Sequence, residues 1–134
     1  VTLVVLDTDI ASLILKGRLP SGWRHELAGR LPVLTFVTVG ELTQWAELRS
    51  WASQRRNQVD AWVDGRAIVE ATDEVARLWG RLSARAAGRG RPRPANDTWI
   101  AACCIREGIP LATLNRKDFA DFAEHEDLRL LTGT

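Results

Sequence analysis

Histidine and cysteine are scarce in this chain, with two of each in 134 residues. The cysteines, Cys103 and Cys104, are adjacent, and no second pair stands elsewhere to complete a disulfide framework or a zinc site. On an apolar stretch they read as small core residues, which fits a reducing compartment. His25 and His125 lie in polar helical or loop context and read as surface groups. No Ser-His-Asp or Cys-His arrangement is therefore available for nucleophilic catalysis. There is no phosphate-binding loop and no GxGxxG. No apolar run approaches the roughly 18 residues of a membrane span. The opening VTLVVL is too short for a signal peptide and lacks its charged lead, so it reads as a core strand of a cytoplasmic protein. No internal repeat is evident. A net charge of +1 makes the chain as a whole no strong attractor of nucleic acid.

What is present suits a packed domain. The chain is 46% hydrophobic and 26% charged and carries six Trp, a balance that excludes disorder. Its length predicts one domain over residues 1–134. TLVVL is a continuous run of β-branched residues and Leu, the pattern of a strand buried on both faces of a parallel sheet. DIASLILKG then has helical spacing, and SGWRHELAG reads as a short helix after Pro20. PVLTFV is a second strand, and TVGELTQWAELRSW and RRNQVDAWVDG are helices. AIVEAT is a third strand. DEVARLWGRLSARA is the clearest amphipathic helix, with Val75, Leu78, Trp79, Leu82 and Ala86 in one stripe. NDTWIAACCIREG is almost purely apolar and ends at Gly108. IPLATL is a strand, NRKDFADF a short helix and LRLL a last strand. Alternating strands and helices predict an α/β fold of three layers, α/β/α, around a mainly parallel sheet. Trp79 and Trp99 read as core. Trp23, Trp45, Trp51 and Trp62 lie on helices that either pack together or offer a groove to a partner helix.

Charge is segregated. Residues 81–93 hold Arg81, Arg85, Arg89, Arg91 and Arg93 and no acid, whereas residues 118–127 hold five acids and no Lys or Arg. Arg77, Arg81 and Arg85 recur every four residues opposite the apolar stripe, either as a solvated face, with Arg77 paired to Asp73, or as a phosphate-binding surface. Arg89, Arg91 and Arg93 continue that track toward Asp97, where contact with RNA phosphates is the favoured reading.

In such a fold, ligands bind beyond the C-terminal ends of the strands. Asp7 directly follows the first strand, Asp97 opens the apolar helix, Asn115 follows PLATL, and Asp118 lies one turn later. Glu41 lines up with Trp45 and Leu48, so it is expected to point inward. Asp97 lines up with Ile100, Ala101 and Cys104. Each alone has a plainer account: capping of the first helix by Asp7 or Asp9, of the apolar one by Asn96 or Asp97, a capping-box variant of Asn115 with Asp118, and a buried Arg partner for Glu41. Together, acids on core-facing stripes at one sheet edge need a shared cation. A cluster of oxygens without His points to Mg²⁺ or Mn²⁺, ligated by Asp7 and Asp97, with Glu41 acting directly or through water. A hard cation in an acidic pocket suits phosphodiester hydrolysis.

At these residues the sequence resembles the PIN-domain ribonucleases, specifically the VapC-type toxins of bacterial toxin–antitoxin pairs. The matching motifs are VVLDTDIAS at 4–12, TVGEL at 38–42, ANDTWIAA at 95–102 and PLATLNRKDF at 110–119, in the family's order along nearly the whole chain. The resemblance implies an acidic core of Asp7, Glu41 and Asp97 that binds Mg²⁺ or Mn²⁺. It also implies endonucleolytic cleavage of RNA by water, leaving a 5′-phosphate and a 3′-hydroxyl. A VapB-type antitoxin would mask the site, and the toxin would form a homodimer. Many members place a fourth Asp where this chain has Asn115, and here the acid follows as Asp118. Either residue is a candidate for the fourth position. Asp9 adds charge in the same turn as Asp7, and Thr8 and Ser12 are candidates to hydrogen-bond the groups around the metal. With Asp97 at the pocket, Asn96 is left to cap the helix.

Two rivals remain. LDTDI also resembles the Asp-x-Asp motif of haloacid-dehalogenase phosphatases, but that class needs a catalytic Lys and a later acidic pair, and Lys117 is the only late Lys. The other is a PIN-like module without activity that binds RNA or a protein partner.

Overall fold

The computed structural model of the chain describes residues 2–132. Its elements run β1 (Thr2–Leu6), α1 (Thr8–Leu15), α2 (Ser21–Leu27), β2 (Arg30–Thr35), α3 (Phe36–Leu48), α4 (Ser53–Asp64), β3 (Ala67–Val69), α5 (Asp73–Gly88), α6 (Ala95–Glu107), β4 (Leu111–Ala112) and α7 (Arg116–His125). The four strands form one sheet in the order β3-β2-β1-β4, and every pairing is parallel. Val5 pairs with Val33 on one side and with Leu111 on the other, while Leu6 pairs with Ala112.

Residues of the two central strands alternate between two cores. Val4, Leu6 and Leu34 bury against Ile10, Ala11, Trp23, Leu42, Val59 and Val63, whereas Val5, Val33 and Leu111 bury against residues of α5, α6 and α7. This is the three-layer α/β/α arrangement that the run of β-branched residues implied. Because β2 lies on one side of β1 and β4 on the other, the chain reverses its winding at the C-terminal end of β1. In open α/β sheets, that is where a crevice forms.

β1 is the expected TLVVL, β2 is shifted toward the N-terminus, and the later strands are shorter than the sequence pattern suggested. Phe36 and Val37 belong to α3, because Thr35 caps that helix by accepting from the Thr38 N–H at 3.4 Å. β4 has two residues, and of the expected last strand only a bridge between Leu111 and Leu130 forms. The helix predictions fare better. Pro20 precedes α2, and Gly108, with φ of 67°, ends α6 in the left-handed conformation that glycine adopts without strain.

The start of α6 differs from expectation. Its N-cap is Pro94, so Asn96 sits inside the first turn, exposed, and caps nothing. Pro94 fits because it brings the required backbone without a donor. Trp79 and Trp99 are only partly buried. They stack on each other with ring centroids 5.0 Å apart, and Phe36 meets Trp99 edge-on. No helix among the described residues is long and apolar enough to cross a membrane.

Candidate active site

Asp7 stands at the end of β1, where its backbone N–H donates to the Ala112 carbonyl of β4 at 2.9 Å. It is also the N-cap of α1, accepting from the Thr8 N–H at 2.8 Å through Oδ1. Its second oxygen, Oδ2, accepts from the Thr113 hydroxyl at 2.7 Å. Thr113 is fully buried and is itself fixed, since its Oγ1 accepts the Asn115 N–H at 3.0 Å. The capping and pocket readings of Asp7 are thus both true of one side chain.

Glu41 reaches the same place from α3. Its Oε1 accepts from the Thr8 hydroxyl at 2.7 Å, and the Thr8 oxygen lies 2.9 Å from that of Thr38. The expectation that Glu41 shares an inward stripe with Leu48 fails, because Leu48 is 74% exposed. The hydrogen bond from Thr8 orients Glu41, and the apolar periodicity of α3 does not.

Asp97, on the first turn of α6, is partly buried one turn ahead of the buried Ile100 and Ala101. Asp118 occupies the first turn of α7. The four acids act on one another electrically. Burial pushes the Asp97 carboxyl up to about 6, and repulsion from Asp7, Asp118 and Glu41 adds to this, while Arg93 works in the opposite direction. Burial likewise raises Asp7, against the hydrogen bonds from Thr113 and Thr8, with Glu41 and Asp118 raising it further. Asp9, raised to about 6 by burial and by Asp7, accepts from the Ile10 and Leu114 backbone N–H groups. Asp9, Glu41, Asp97 and Asp118, carried by α1, α3, α6 and α7, therefore all lie within electrostatic reach of Asp7 at the C-terminal end of β1.

None of the five belongs to an ion pair among the described residues. Buried carboxylates without cations are costly unless they ligate a metal. The donor set is all oxygen, which fits a hard divalent cation such as Mg²⁺ or Mn²⁺. Among the described residues, no three His, Cys, Asp or Glu side chains stand close enough together to hold a metal ion as they lie. Mg²⁺ takes one or two carboxylates directly and keeps several waters. Burial pushes the Cys103 thiol up to about 12 and Cys104 well above its usual range, so both are neutral thiols in the metal-free fold.

Three sequence expectations are corrected at this site. Asn115 and Asp118 do not form a capping box. Asn115 makes no side-chain cap and its amide donates to Asp9 at 3.2 Å. Ser12 is buried but makes none of the hydrogen bonds to the acids; it lines a neighbouring groove with Leu15, Leu42 and Trp51. The arginine track is largely consumed in ion pairs. Arg85 donates two prongs to Glu126, and Arg89 grips both oxygens of Asp121 and one of Glu126. The basic and acidic segments read separately in the sequence are each other's partners. Arg91 remains exposed, and Arg93 donates only to backbone carbonyls, those of Pro92 and Asp118. Thr113 and Thr38, absent from the expected set, act through their hydroxyls, Thr113 on Asp7 directly and Thr38 on Thr8, which in turn holds Glu41.

A parallel sheet with this topology and an acidic crevice at the end of β1 define a PIN-type domain. The PIN-domain family model matches residues 4–125, and the chain belongs to that family. It is similar to ribonuclease VapC1 of Haemophilus influenzae, at 25% identity over 119 residues covering 86% of this chain and 88% of that protein. It is also similar to ribonuclease VapC5 of Mycobacterium tuberculosis, at 35% identity over 89 residues, 64% of each. Among solved structures, VapBC-5 from M. tuberculosis, a member of the VapBC family of toxin–antitoxin systems, superposes with a TM-score of 0.72 and 26% identity across 98% of both chains.

Proposed function

We propose that this chain is a divalent-metal-dependent endoribonuclease of the VapC type, the toxin of a toxin–antitoxin pair. The observation that carries the reading is the contrast between two sets of buried or half-buried acids. Asp121 and Glu126 are paired with arginines, whereas Asp7, Asp9, Glu41, Asp97 and Asp118 pair with none. The names of the relatives, ribonucleases VapC1 and VapC5, support the same reading.

Asp7 and Asp97 would hold Mg²⁺ or Mn²⁺, with Glu41 contributing directly or through water. The bound cation supplies charge neutralisation at the phosphoryl oxygens and makes water more acidic. Thr113 and the Thr8 N–H fix the two oxygens of Asp7, so the ligand is oriented before the cation arrives. Thr8 does the same for Glu41. Asp118, entering from α7, would hold the attacking water by a hydrogen bond. Arg93, whose charge lowers the Asp97 carboxyl, would receive the scissile phosphate, and Arg91 would extend the contact along the RNA. Asn115 holds Asp9 and brings no charge, which favours one cation over two.

Control by a VapB-type antitoxin belongs to the same reading. The groove between α1, α3 and α4 contains Lys16, Arg18, Arg49 and Arg55 beside Leu15, Leu42 and Trp51, with no acid in its lining. It suits an acidic segment with apolar side chains, and the solved relative is a toxin–antitoxin system.

The test is incubation of purified protein with total cellular RNA in Mg²⁺, Mn²⁺ or EDTA, beside Asp97→Asn. Discrete fragments with 5′-phosphate ends that require metal and vanish in the variant are expected. RNA binding without cleavage under every metal would replace this reading with an inactive binding module.

A further inference from the structure

The residues that join α5 to α6 do more than connect them. Arg89 lies at the C-cap of α5, and its guanidinium donates from Nε and Nη2 to Oδ1 and Oδ2 of Asp121 at 3.2 and 2.5 Å, and from Nη1 to Glu126 at 2.9 Å. Asp121 is only 4% exposed, so this two-pronged pair is shielded from water on the carboxylate side. Arg85, one turn earlier, donates to both oxygens of Glu126. Arg93 contacts the Asp118 carbonyl at 3.4 Å. Three arginines from one segment therefore grip α7 near its start, in its middle and just beyond its end. That segment leads directly into Asp97, and α7 carries Asp118 one turn before Asp121. The clamp ties the end of α5 and the loop that leads into Asp97 to α7, which carries Asp118.

The structure assigns Arg89 the role of a positioning residue that sets the placement of Asp118 against Asp97 through Asp121, and not that of an RNA contact. The consequence for catalysis rests on the nuclease reading, while the consequence for cation binding does not. α7 has no side-chain cap, and its start follows a β-strand of two residues. The hydrogen bonds of Leu114 and Asn115 to Asp9 and Thr113 hold the residues that enter the helix, and the clamp holds its turns further along. Phe119 and Phe122 anchor one face of α7 in the core. Apolar packing, being non-directional, tolerates rotation and sliding that a two-pronged guanidinium–carboxylate pair does not.

The test compares wild type, Arg89→Gln, Arg89→Lys and the double variant Arg89→Gln/Asp121→Asn, each first shown to be folded by circular dichroism. Mn²⁺ affinity, kcat and KM for a defined RNA, and the salt dependence of RNA binding are measured. Losing a group that orients ligands costs about 10–100-fold in metal affinity or rate. Arg89→Gln is expected to fall in that range in Mn²⁺ affinity and kcat, with KM and the salt slope unchanged. Arg89→Lys is expected to recover only part, because an ammonium lacks the planar fork. The double variant leaves no buried charge unpaired and is expected to fold and to show the same loss of Mn²⁺ affinity. A folded double variant with wild-type Mn²⁺ affinity would overturn the proposal. So would a flattened salt slope with unchanged kcat, which would make Arg89 an RNA contact. If wild type itself cleaves no RNA, the nuclease reading fails, and the Mn²⁺ affinities alone decide the clamp.

Discussion

The side-chain amide of Asn115 donates to Asp9 across 3.2 Å and leaves the start of α7 uncapped. Asn115 stands where many PIN domains carry an acid, and its neutral amide suits the carboxylate beside it. Asn115→Asp would set two carboxylates side by side. It is expected to lower Tm by a few degrees in EDTA, and added Mg²⁺ should raise Tm more than it does in wild type, because only a cation relieves the repulsion. Equal responses to Mg²⁺ would place Asn115 outside the reach of the cation.

Thr113→Val keeps the shape of a fully buried side chain and removes its hydroxyl. Oδ2 of Asp7 and the Asn115 N–H each lose a partner. Buried polar groups left unsatisfied cost about 1–3 kcal/mol each. Urea unfolding in EDTA should show a loss in that range, and RNA cleavage should fall with it. Unchanged stability would mean that water replaces the hydroxyl without cost.

The clamp carries its own pH signature. Arg89 holds the Asp121 carboxyl below its usual value, and Arg85, followed by Arg89, does the same for Glu126. A lowered folded pKa gives stability that is complete above the unfolded pKa and disappears as pH falls through the folded one. The destabilisation caused by Arg89→Gln is therefore expected to be full at pH 7 and to shrink below about pH 4, where the unfolded carboxyls protonate. Urea unfolding at the two pH values tests this, and a difference independent of pH would assign the effect to packing.

RNA binding should separate the arginines into two groups. Each phosphate contact on single-stranded RNA contributes roughly 0.7 to the slope of log K against log salt. Arg91→Gln and Arg93→Gln are each expected to flatten the slope by about that amount, whereas Arg85→Gln, whose guanidinium is held by Glu126, should leave it unchanged. Filter binding across a salt series distinguishes them.

Much of this arrangement is legible in the sequence where periodicity speaks. The apolar run after Asp97 implied a buried helix with an acid at its start, and the chain order of strands and helices implied a parallel sheet whose C-terminal edge collects Asp7, Asp97 and Asp118. Periodicity says nothing of hydroxyls, so Thr38 and Thr113 stayed hidden although each lies in a motif carrying an acid. It also says nothing of partners distant in the chain. The runs of arginine and acid are plain in sequence, but the pairing of Arg89 with Asp121 closes only when the C-terminal end of α5 meets α7 in the fold. The short apolar runs around residues 111 and 130 looked like full strands because such runs do not reveal how many neighbours the sheet edge supplies.

A cation site of strand-end acids, as proposed, is held at a cost to the metal-free fold. Thermal melting of wild type and Asp97→Asn at pH 7.5, in EDTA and in Mg²⁺, tests it most directly. Burial and neighbouring acids raise the Asp97 carboxyl to about 6, so its ionised form is disfavoured in the fold at pH 7.5. Asp97→Asn is expected to melt a few degrees above wild type in EDTA, and Mg²⁺ should raise the wild-type Tm while leaving the variant nearly unmoved. A variant that melts no higher than wild type in EDTA and responds equally to Mg²⁺ would contradict the claim.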